Sequence, residues 1–418
     1  MASQGRVLMF VENSFPADPR VKNEADTLTT AGYSVTVVAL KGKNDATASR
    51  VIDDIQVYLI PRSTLFIKTR KGNPIGLERF WLRIIALIGY MWEYVYFTAA
   101  CLVMSFYVAI NHGFDVIHAH NPPDTLFLVA ALYKPFGKKF VFDHHDLCPE
   151  LYRSRYKANS GFITAALRLF ELGNLRLADV TIATNESYRD IQIHRGRVDP
   201  DCVFVVRNGP NLNRVVQRAP SERLRSMNKC ILCYVGALNP QDGVDYLLRS
   251  LRDLVHKLNR KDFYCVIMGT GDSLEDLRAL ARDLDLQSYV ELPGWVSEDD
   301  LMSNLSAADI CVDPDPSSPL NDVSTWIKIL EYMAMGKPIV TYDLKETRWS
   351  AQDAALYVKP NNELEFAEGI AKLMDRPDLR SQMGEFGRQR VLRELKWDVV
   401  GQNLLRAYEK LFANSGRL

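Results

Sequence analysis

Short runs of β-branched and other apolar residues recur through the first half of the chain, at 6–11, 34–40, 56–60, 115–119, 139–143, 179–183 and 202–206. Between several of them the apolar spacing changes to a helical period, at 21–31, 125–132 and 162–178. Strands that alternate with helices predict parallel βαβ units in a doubly wound sheet. The rhythm restarts after 207–228, a stretch holding the turn sequence Asn208-Gly209-Pro210 and several charges. Strands are predicted there at 230–235, 263–268, 290–292, 310–313, 338–342 and 355–358, with helices at 243–259, 273–284, 298–306, 324–335, 363–376 and 380–394. The chain therefore reads as two α/β lobes joined near 209–228. A ligand is expected between them, outside the carboxyl ends of the strands.

Length and charge narrow the class. At roughly 150 residues per domain, 418 residues exclude a single small module. Lys plus Arg and Asp plus Glu number 51 each, 47% of residues are hydrophobic and 24% charged, which excludes a disordered chain and a strongly basic nucleic-acid binder. Seven cysteines scattered through apolar stretches are no disulfide framework and fit a reducing, cytoplasmic compartment. The first thirty residues hold only a short apolar run, Val7 to Val11, with no small-residue cleavage site, so they predict a first strand and not a signal peptide.

One segment stands apart. Residues 84–110 are apolar almost all round, broken only by Glu93, and 94–110 is 17 residues without a charge. A helix sandwiched between a sheet and another helix would look like this, and so would an element lying on a membrane surface. Arg62, Lys68, Arg70, Lys71, Arg79 and Arg83 just upstream, opposed only by Glu78, favour the membrane surface because such a patch attracts anionic lipid. A true span is disfavoured, since a strand follows at once and must rejoin the same sheet.

The chemistry concentrates at strand ends. In 313–340, DPDPSSPLNDVSTWIKILEYMAMGKPIV, Asn321, Asp322 and Ser324 are capping types ahead of a helical run. Backbone N–H groups of Val323 to Trp326, including Ser324 and Thr325, are expected to open there as an anion site. Lys328 suits a diphosphate, and Glu331, three residues on and on the same face, could accept from a ribose diol. A capped surface helix with a routine Lys/Glu pair would carry the same residues. Gly236 ends one strand, and Gly269-Thr270-Gly271 ends another. Glycines there let the backbone approach a phosphate, or simply make a βα turn; no third glycine completes a dinucleotide fingerprint. His118 and His120 close one N-terminal strand, and His144, His145, Asp146 and Glu150 follow the next. A metal pair is geometrically open to His118 and His120, but one packing histidine and one facing the cleft is the plainer reading. Cys230 and Cys233, three apart on a strand, point to opposite faces and would not chelate.

Taken together, FPADPRVKNEADTLTTAGYSVTVV, DVIHAHN, RLADVTIATNES, VVRNGPN, CYVGALNPQDGVDYLLRSL, VIMGTGDSLEDL and KILEYMAMGKPIV resemble the retaining GT-B glycosyltransferases of the family-4, group 1 type. The resemblance runs in order from Arg6 to Phe412. It implies GT-B architecture, with two Rossmann-like lobes facing across a cleft. Residues 1–212 would form the acceptor-side lobe, rejoined by a C-terminal helix at 400–418, and 213–399 the donor lobe. It implies a nucleoside-diphosphate sugar as co-substrate and neither cofactor nor metal. By the same resemblance Gly236 would lie against the donor diphosphate, Trp295 and Val296 would approach the nucleobase and Glu331 would hold the ribose. His120 would face the transferred sugar, while Asp18, Arg20, His145 and Asp146 would lie on the acceptor side. The family's first glutamate is Val323 here, its usual arginine is Ala237 and its usual lysine is Asp242, which leaves Lys328 as the natural replacement cation.

The expected reaction is sugar transfer with retention to a hydroxyl acceptor. Lys328 and backbone N–H groups would stabilise the departing phosphate, and lobe closure would exclude water. With the 62–110 region, a lipid-linked or membrane-borne acceptor is expected, in cell-envelope polysaccharide or lipopolysaccharide assembly by a cytoplasmic enzyme peripheral at the inner face of the membrane. No nucleic-acid partner is expected. The alternatives are a GT-B nucleotide-sugar epimerase and a catalytically lapsed nucleotide-sugar-binding or scaffold protein.

Overall fold

A computed structural model describes residues 4–42, 47–63, 77–156, 161–210, 212 and 214–413, without the side chains of 77–87, 90, 155 and 156. Lys68, Arg70 and Lys71 thus lie outside the described residues. The chain divides into two compact units. One is Met1–Pro149 with Ser160–Val206 and Gly401–Leu418, the other Glu150–Asn159 with Arg207–Val400.

The first unit is built on strands β1 (Arg6–Val11), β2 (Ser34–Leu40), β3 (Ser49–Ile52), β4 (Ile55–Ile60), β5 (Val116–His120), β6 (Lys139–His144), β7 (Val180–Ala183) and β8 (Val203–Val205). They order as β3-β4-β2-β1-β5-β6-β7-β8. The central strands are buried along nearly their whole length, as expected of a parallel sheet covered on both faces. Among the described strands only β3 runs antiparallel, against β4. It was not anticipated; Asp53 and Asp54, both at positive φ, make the two-residue turn that folds it back.

The long apolar segment forms a helix, Leu77–Asn111. Its inner stripe of Phe97, Cys101 and Val108 joins the core cluster with Phe10, Ile117 and Phe140. Its outer stripe is exposed, so the sandwiched-helix alternative fails among the described residues: a helix apolar all round here keeps only one face in the core. Helices at Cys148–Tyr156, Glu186–His194 and Lys345–Ala351 lacked a clear apolar period and escaped prediction. The helix Gln402–Ala413 completes the first unit. There Tyr408 is fully buried with its hydroxyl 3.0 Å from His118 Nδ1, and Asn403 donates to the Val205 carbonyl at 2.9 Å.

The second unit carries β9 (Cys230–Val235), β10 (Phe263–Met268), β11 (Val290–Gly294), β12 (Ile310–Asp313), β13 (Ile339–Tyr342) and β14 (Ala355–Val358), ordered β11-β10-β9-β12-β13-β14 and all parallel. Successive residues of one strand enter different cores: Leu232 and Tyr234 one, Ile231 and Cys233 the other. Cys230 accordingly packs against the cluster opposite Cys233. The strand order reverses between β9 and β12, and the crevice at the carboxyl ends of such a pair is where open α/β sheets take ligands.

Candidate active site

At that reversal point the loops after β9 and β10 pack backbone on backbone. Gly236 N donates to the Met268 carbonyl at 3.1 Å, and Gly269 N donates to the Gly294 carbonyl at 3.0 Å. A Cβ on Gly269, whose φ is +146°, would lie 1.8 Å from the Gly236 carbonyl oxygen, and one on Gly271 would lie 2.3 Å from that of Leu238. The glycines therefore serve the contact between loops, and the N–H groups of Gly236 and Gly269 are committed to it rather than turned to an anion. Asp242, where a cation was expected by resemblance, accepts from Asn239 N at 2.9 Å and closes a capping box on the turn Pro240–Asp242.

The cation at this place is Lys328. It stands on the helix Ile327–Ala334, which Tyr332 ties to β9 by accepting from Val235 N at 2.8 Å. Lys328 Nζ lies 2.9 Å from Asp313 Oδ1 and 2.5 Å from Asp315 Oδ2, with the Tyr234 ring 5.0 Å away. Lys328, Asp313 and Asp315 are all buried. Burial alone would depress the lysine pKa, but the two carboxyl groups outweigh it and hold the ammonium well above its ordinary range. Burial also acts to raise Asp313, yet Lys328 and hydrogen bonds, one from Thr341 at 3.1 Å, leave it below the ordinary value. Asp315 goes the other way: burial and the adjacent Asp313 push it well up.

The expected open helix N-terminus at Val323 to Trp326 is not formed. Asn321–Val323 closes a 3-10 turn in which Val323 N and Ser324 N donate to the carbonyls of Leu320 and Asn321, and Ser324 Oγ donates to Leu320 as well. The α-helix begins only at Ile327, so Ser324 and Thr325 precede it. Glu331 is buried one turn beyond Lys328, and the Arg214 guanidinium bonds its carboxylate. Burial raises the Glu331 pKa, with Arg214 opposing. Arg214 Nε is also 4.0 Å from Glu298, which follows the loop holding Trp295 and Val296. Val296 packs on the core, whereas Trp295 is 77% exposed.

In the first unit the predicted acceptor-side residues fall into one buried network. Asp18 caps the helix Pro19–Thr30, accepting from the N–H groups of Arg20 and Val21 at 3.1 Å each. Arg20 grips Asp143 bidentately at 3.0 and 2.9 Å and donates to the Val206 carbonyl at 2.8 Å. Its Nε is 2.9 Å from His145 Nε2 and 3.1 Å from Glu24 Oε1. Asp146 is half-buried, and its carbonyl accepts from Asn121 at 2.7 Å. His120, expected to face a ligand, is as buried as His118, and the two rings stack with centroids 4.3 Å apart. The reason is that both its ring nitrogens find acceptors inside: Nδ1 the Phe10 carbonyl at 3.0 Å, Nε2 the Glu24 carboxylate at 2.9 Å. A carbonyl can only accept, so Nδ1 carries hydrogen and a further proton is shared between Nε2 and Glu24. Burial tends to depress His120, but Glu24 and Asp143 bring its pKa above the ordinary 6.5.

Glu24, His120, Asp143 and His145 place ligand-type atoms within 4.8 Å of one another. A cation already fills that centre, the Arg20 guanidinium, so the arrangement is complete as an ion-pair network. Five participants escaped the sequence reading, among them Asp143 at the end of β6. Asp313 and Asp315 were signalled by D-P-D-P directly after a strand, ahead of Lys328; Glu24 sits one turn past Arg20; Arg214 carries no local signal.

The family described as Glycosyl transferases group 1 matches residues 216–390, and that described as Glycosyltransferase Family 4 matches 20–214. An alpha-D-kanosaminyltransferase of Streptomyces kanamyceticus is 29% identical over 166 residues, 39% of this chain and 41% of that protein. The chain spans about half the length of the curated relatives it matches, 41%, 46% and 58% for three of them. In fold it is similar to a sucrose-phosphate synthase of Thermosynechococcus elongatus, with TM-score 0.75, 16% identity and coverage of 98% of this chain and 100% of that one. It is also similar to HepE of Anabaena, solved in complex with UDP-glucose, with TM-score 0.68, 15% identity and coverage of 97% and 100%.

Proposed function

Because the chain belongs to the group 1, family-4 glycosyltransferases, we propose that it moves a sugar, with retention, from a nucleoside-diphosphate sugar to a hydroxyl acceptor. The observation that carries this is Lys328 and Glu331 one turn apart at the β9/β12 reversal, the crevice where such sheets take ligands. Glu331 accepts from the ribose diol once Arg214 gives way, and the exposed Trp295 offers a face to the base. Lys328 meets the developing charge of the diphosphate, joined by the first N–H groups of its helix. The departing phosphate takes the acceptor proton as the acceptor attacks the same face of the anomeric carbon, so the scheme calls on no metal.

The exposed apolar stripe of Leu77–Asn111 supports an acceptor that is lipid-linked or membrane-borne, in cell-envelope polysaccharide or lipopolysaccharide assembly at the cytoplasmic face of a membrane. Binding without turnover is the second reading, favoured by the pairing of Lys328 with Asp313 and Asp315 and by Ala237 in place of arginine. Thermal-shift titration with UDP-, GDP-, ADP- and dTDP-sugars, followed by a transfer assay with polyprenyl-phosphate acceptors, tests the proposal. Stabilisation by one donor and acceptor-dependent transfer is expected. Stabilisation without transfer selects the second reading, and product without acceptor selects an epimerase.

A further inference from the structure

Three helices of the first unit form a layer over one face of its sheet: Leu77–Asn111, Phe127–Tyr133 and Gly161–Leu177. Polar contacts lock them together on their inner sides. Ser105 Oγ lies 2.9 Å from the Tyr133 hydroxyl, Thr98 Oγ1 lies 2.6 Å from that of Thr125, and Asn174 donates to the Asp124 carbonyl at 2.6 Å. The outer side is apolar on all three elements and their connections: Val95, Val103 and Ile110 on the first, then Leu132, Phe136 and Phe162. Their exposures run from 49% for Leu132 to 86% for Phe162. Large apolar side chains exposed together on neighbouring helices mark an interaction surface more often than bare solvent-facing surface.

The part Met91–Asn111 is long and apolar enough to cross a membrane, and most of it is not buried. Yet it cannot leave the layer to do so, because Phe97, Cys101 and Val108 are fully buried and β5 enters the middle of the sheet five residues later. Only the outer face is available. At one end of that face Trp92 donates to Ser63 at 2.7 Å and Tyr96 to the Pro61 carbonyl at 2.8 Å, next to the exposed Arg62. Arg168 is exposed among the apolar residues of the third helix. In sequence the residues that precede Met91 include Lys68, Arg70, Lys71, Arg79 and Arg83 against Glu78 alone. Aromatic residues with polar tips, with exposed arginines on the same layer, suit the headgroup level of a bilayer. A second copy suits the face poorly. A two-fold contact sets the same patch on both partners and would bring Arg62 and Arg168 of both copies into one interface.

We propose that this three-helix layer is a monotopic docking surface that lies flat in the interface of an anionic bilayer. The inference rests on the transferase reading only for its use, which is to bring the enzyme to a lipid-linked acceptor. The test is co-flotation of the full chain with phosphatidylcholine vesicles lacking or holding about 30% phosphatidylglycerol. The chain is expected to float with the anionic vesicles and to be released by about 0.5 M salt. The double substitution Val103→Glu, Phe162→Glu is expected to lower partitioning at least about tenfold, with thermal midpoint and nucleotide-sugar titration unchanged. Failure of the parent chain to float, or flotation of the double variant equal to the parent, overturns the proposal. So does a dimer in solution that the same substitutions dissociate without vesicle binding, which would assign the face to a second copy. Since donor binding is read separately, loss of flotation and loss of donor recognition are distinguishable.

Discussion

Replacing Lys328 with methionine isolates the electrostatics of the candidate site. The substitution keeps an unbranched apolar stem and removes the ammonium 2.9 Å from Asp313 Oδ1. Asp313 is 0% exposed, so the folded variant cannot leave its carboxylate charged and must hold it protonated. Unfolded, the group titrates near the ordinary 3.8. Keeping a proton on it at pH 7, about three units higher at about 1.4 kcal/mol per unit, costs about 4 kcal/mol. That matches the roughly 3–5 kcal/mol seen when one partner of a buried pair is removed. The sign also follows. In the parent the Asp313 pKa is lowered, so its stabilisation is present above 3.8 and lost as pH falls through the folded value. In the variant it is raised, so stability falls as pH rises. Urea unfolding between pH 5 and pH 8 should therefore show a deficit that grows by about 1.4 kcal/mol per unit. Adding Asp313→Asn removes the stranded charge and should restore all but about 1–2 kcal/mol. A deficit below about 1 kcal/mol that is flat with pH would refute the buried ion pair.

Glu331→Ala should leave the fold intact and weaken nucleotide-sugar binding by about 2 kcal/mol, roughly thirtyfold, read by titration calorimetry. Gly269→Ala sets a Cβ 1.8 Å from the Gly236 carbonyl oxygen at a φ of +146°, and should cost more than about 2 kcal/mol in urea unfolding. Trp295→Ala, at an exposed loop position, should change stability by less than about 0.5 kcal/mol while reducing nucleotide affinity. The raised His120 pKa makes its contribution complete below 6.5 and lost as pH climbs through the folded value. Glu24→Gln, which removes the shared proton, should flatten that fall in unfolding free energy above pH 6.5, and an unchanged slope would dismiss the sharing.

The two sheets were legible because their central strands are nearly uninterrupted apolar runs separated by helical periods, a pattern that βαβ geometry alone explains. β3 was not, because Ser49 to Ile52 alternates at a sheet edge over only four residues. The helix carrying Lys328 was legible from Ile329, Leu330 and Met333, but its start was misplaced by three residues. Asn321 and Ser324 have capping chemistry and used it on a 3-10 turn instead, a choice set by neighbours such as Gln241, whose carbonyl Asn321 engages at 2.9 Å. His120 could be placed at a strand end by its spacing. That its ring turns inward depends on Glu24 and the Phe10 carbonyl, 96 and 110 residues away in the chain. Partners of that separation leave no trace in local pattern.

The helix Gln402–Ala413 has a consequence for how the protein is made. Tyr408 seals His118 from a position 290 residues downstream, and Leu404, Ala407 and Leu411 are buried beside it. The first unit emerging from a ribosome thus lacks its last wall until everything from Arg207 to Val400 has been synthesised. The second unit, nearly continuous in sequence, can reach its final fold while the first still waits with an apolar trough open to the solvent. The order of completion is therefore the reverse of the order of synthesis. For that interval the nascent chain presents a trough that a chaperone could shelter, until its own closing helix arrives.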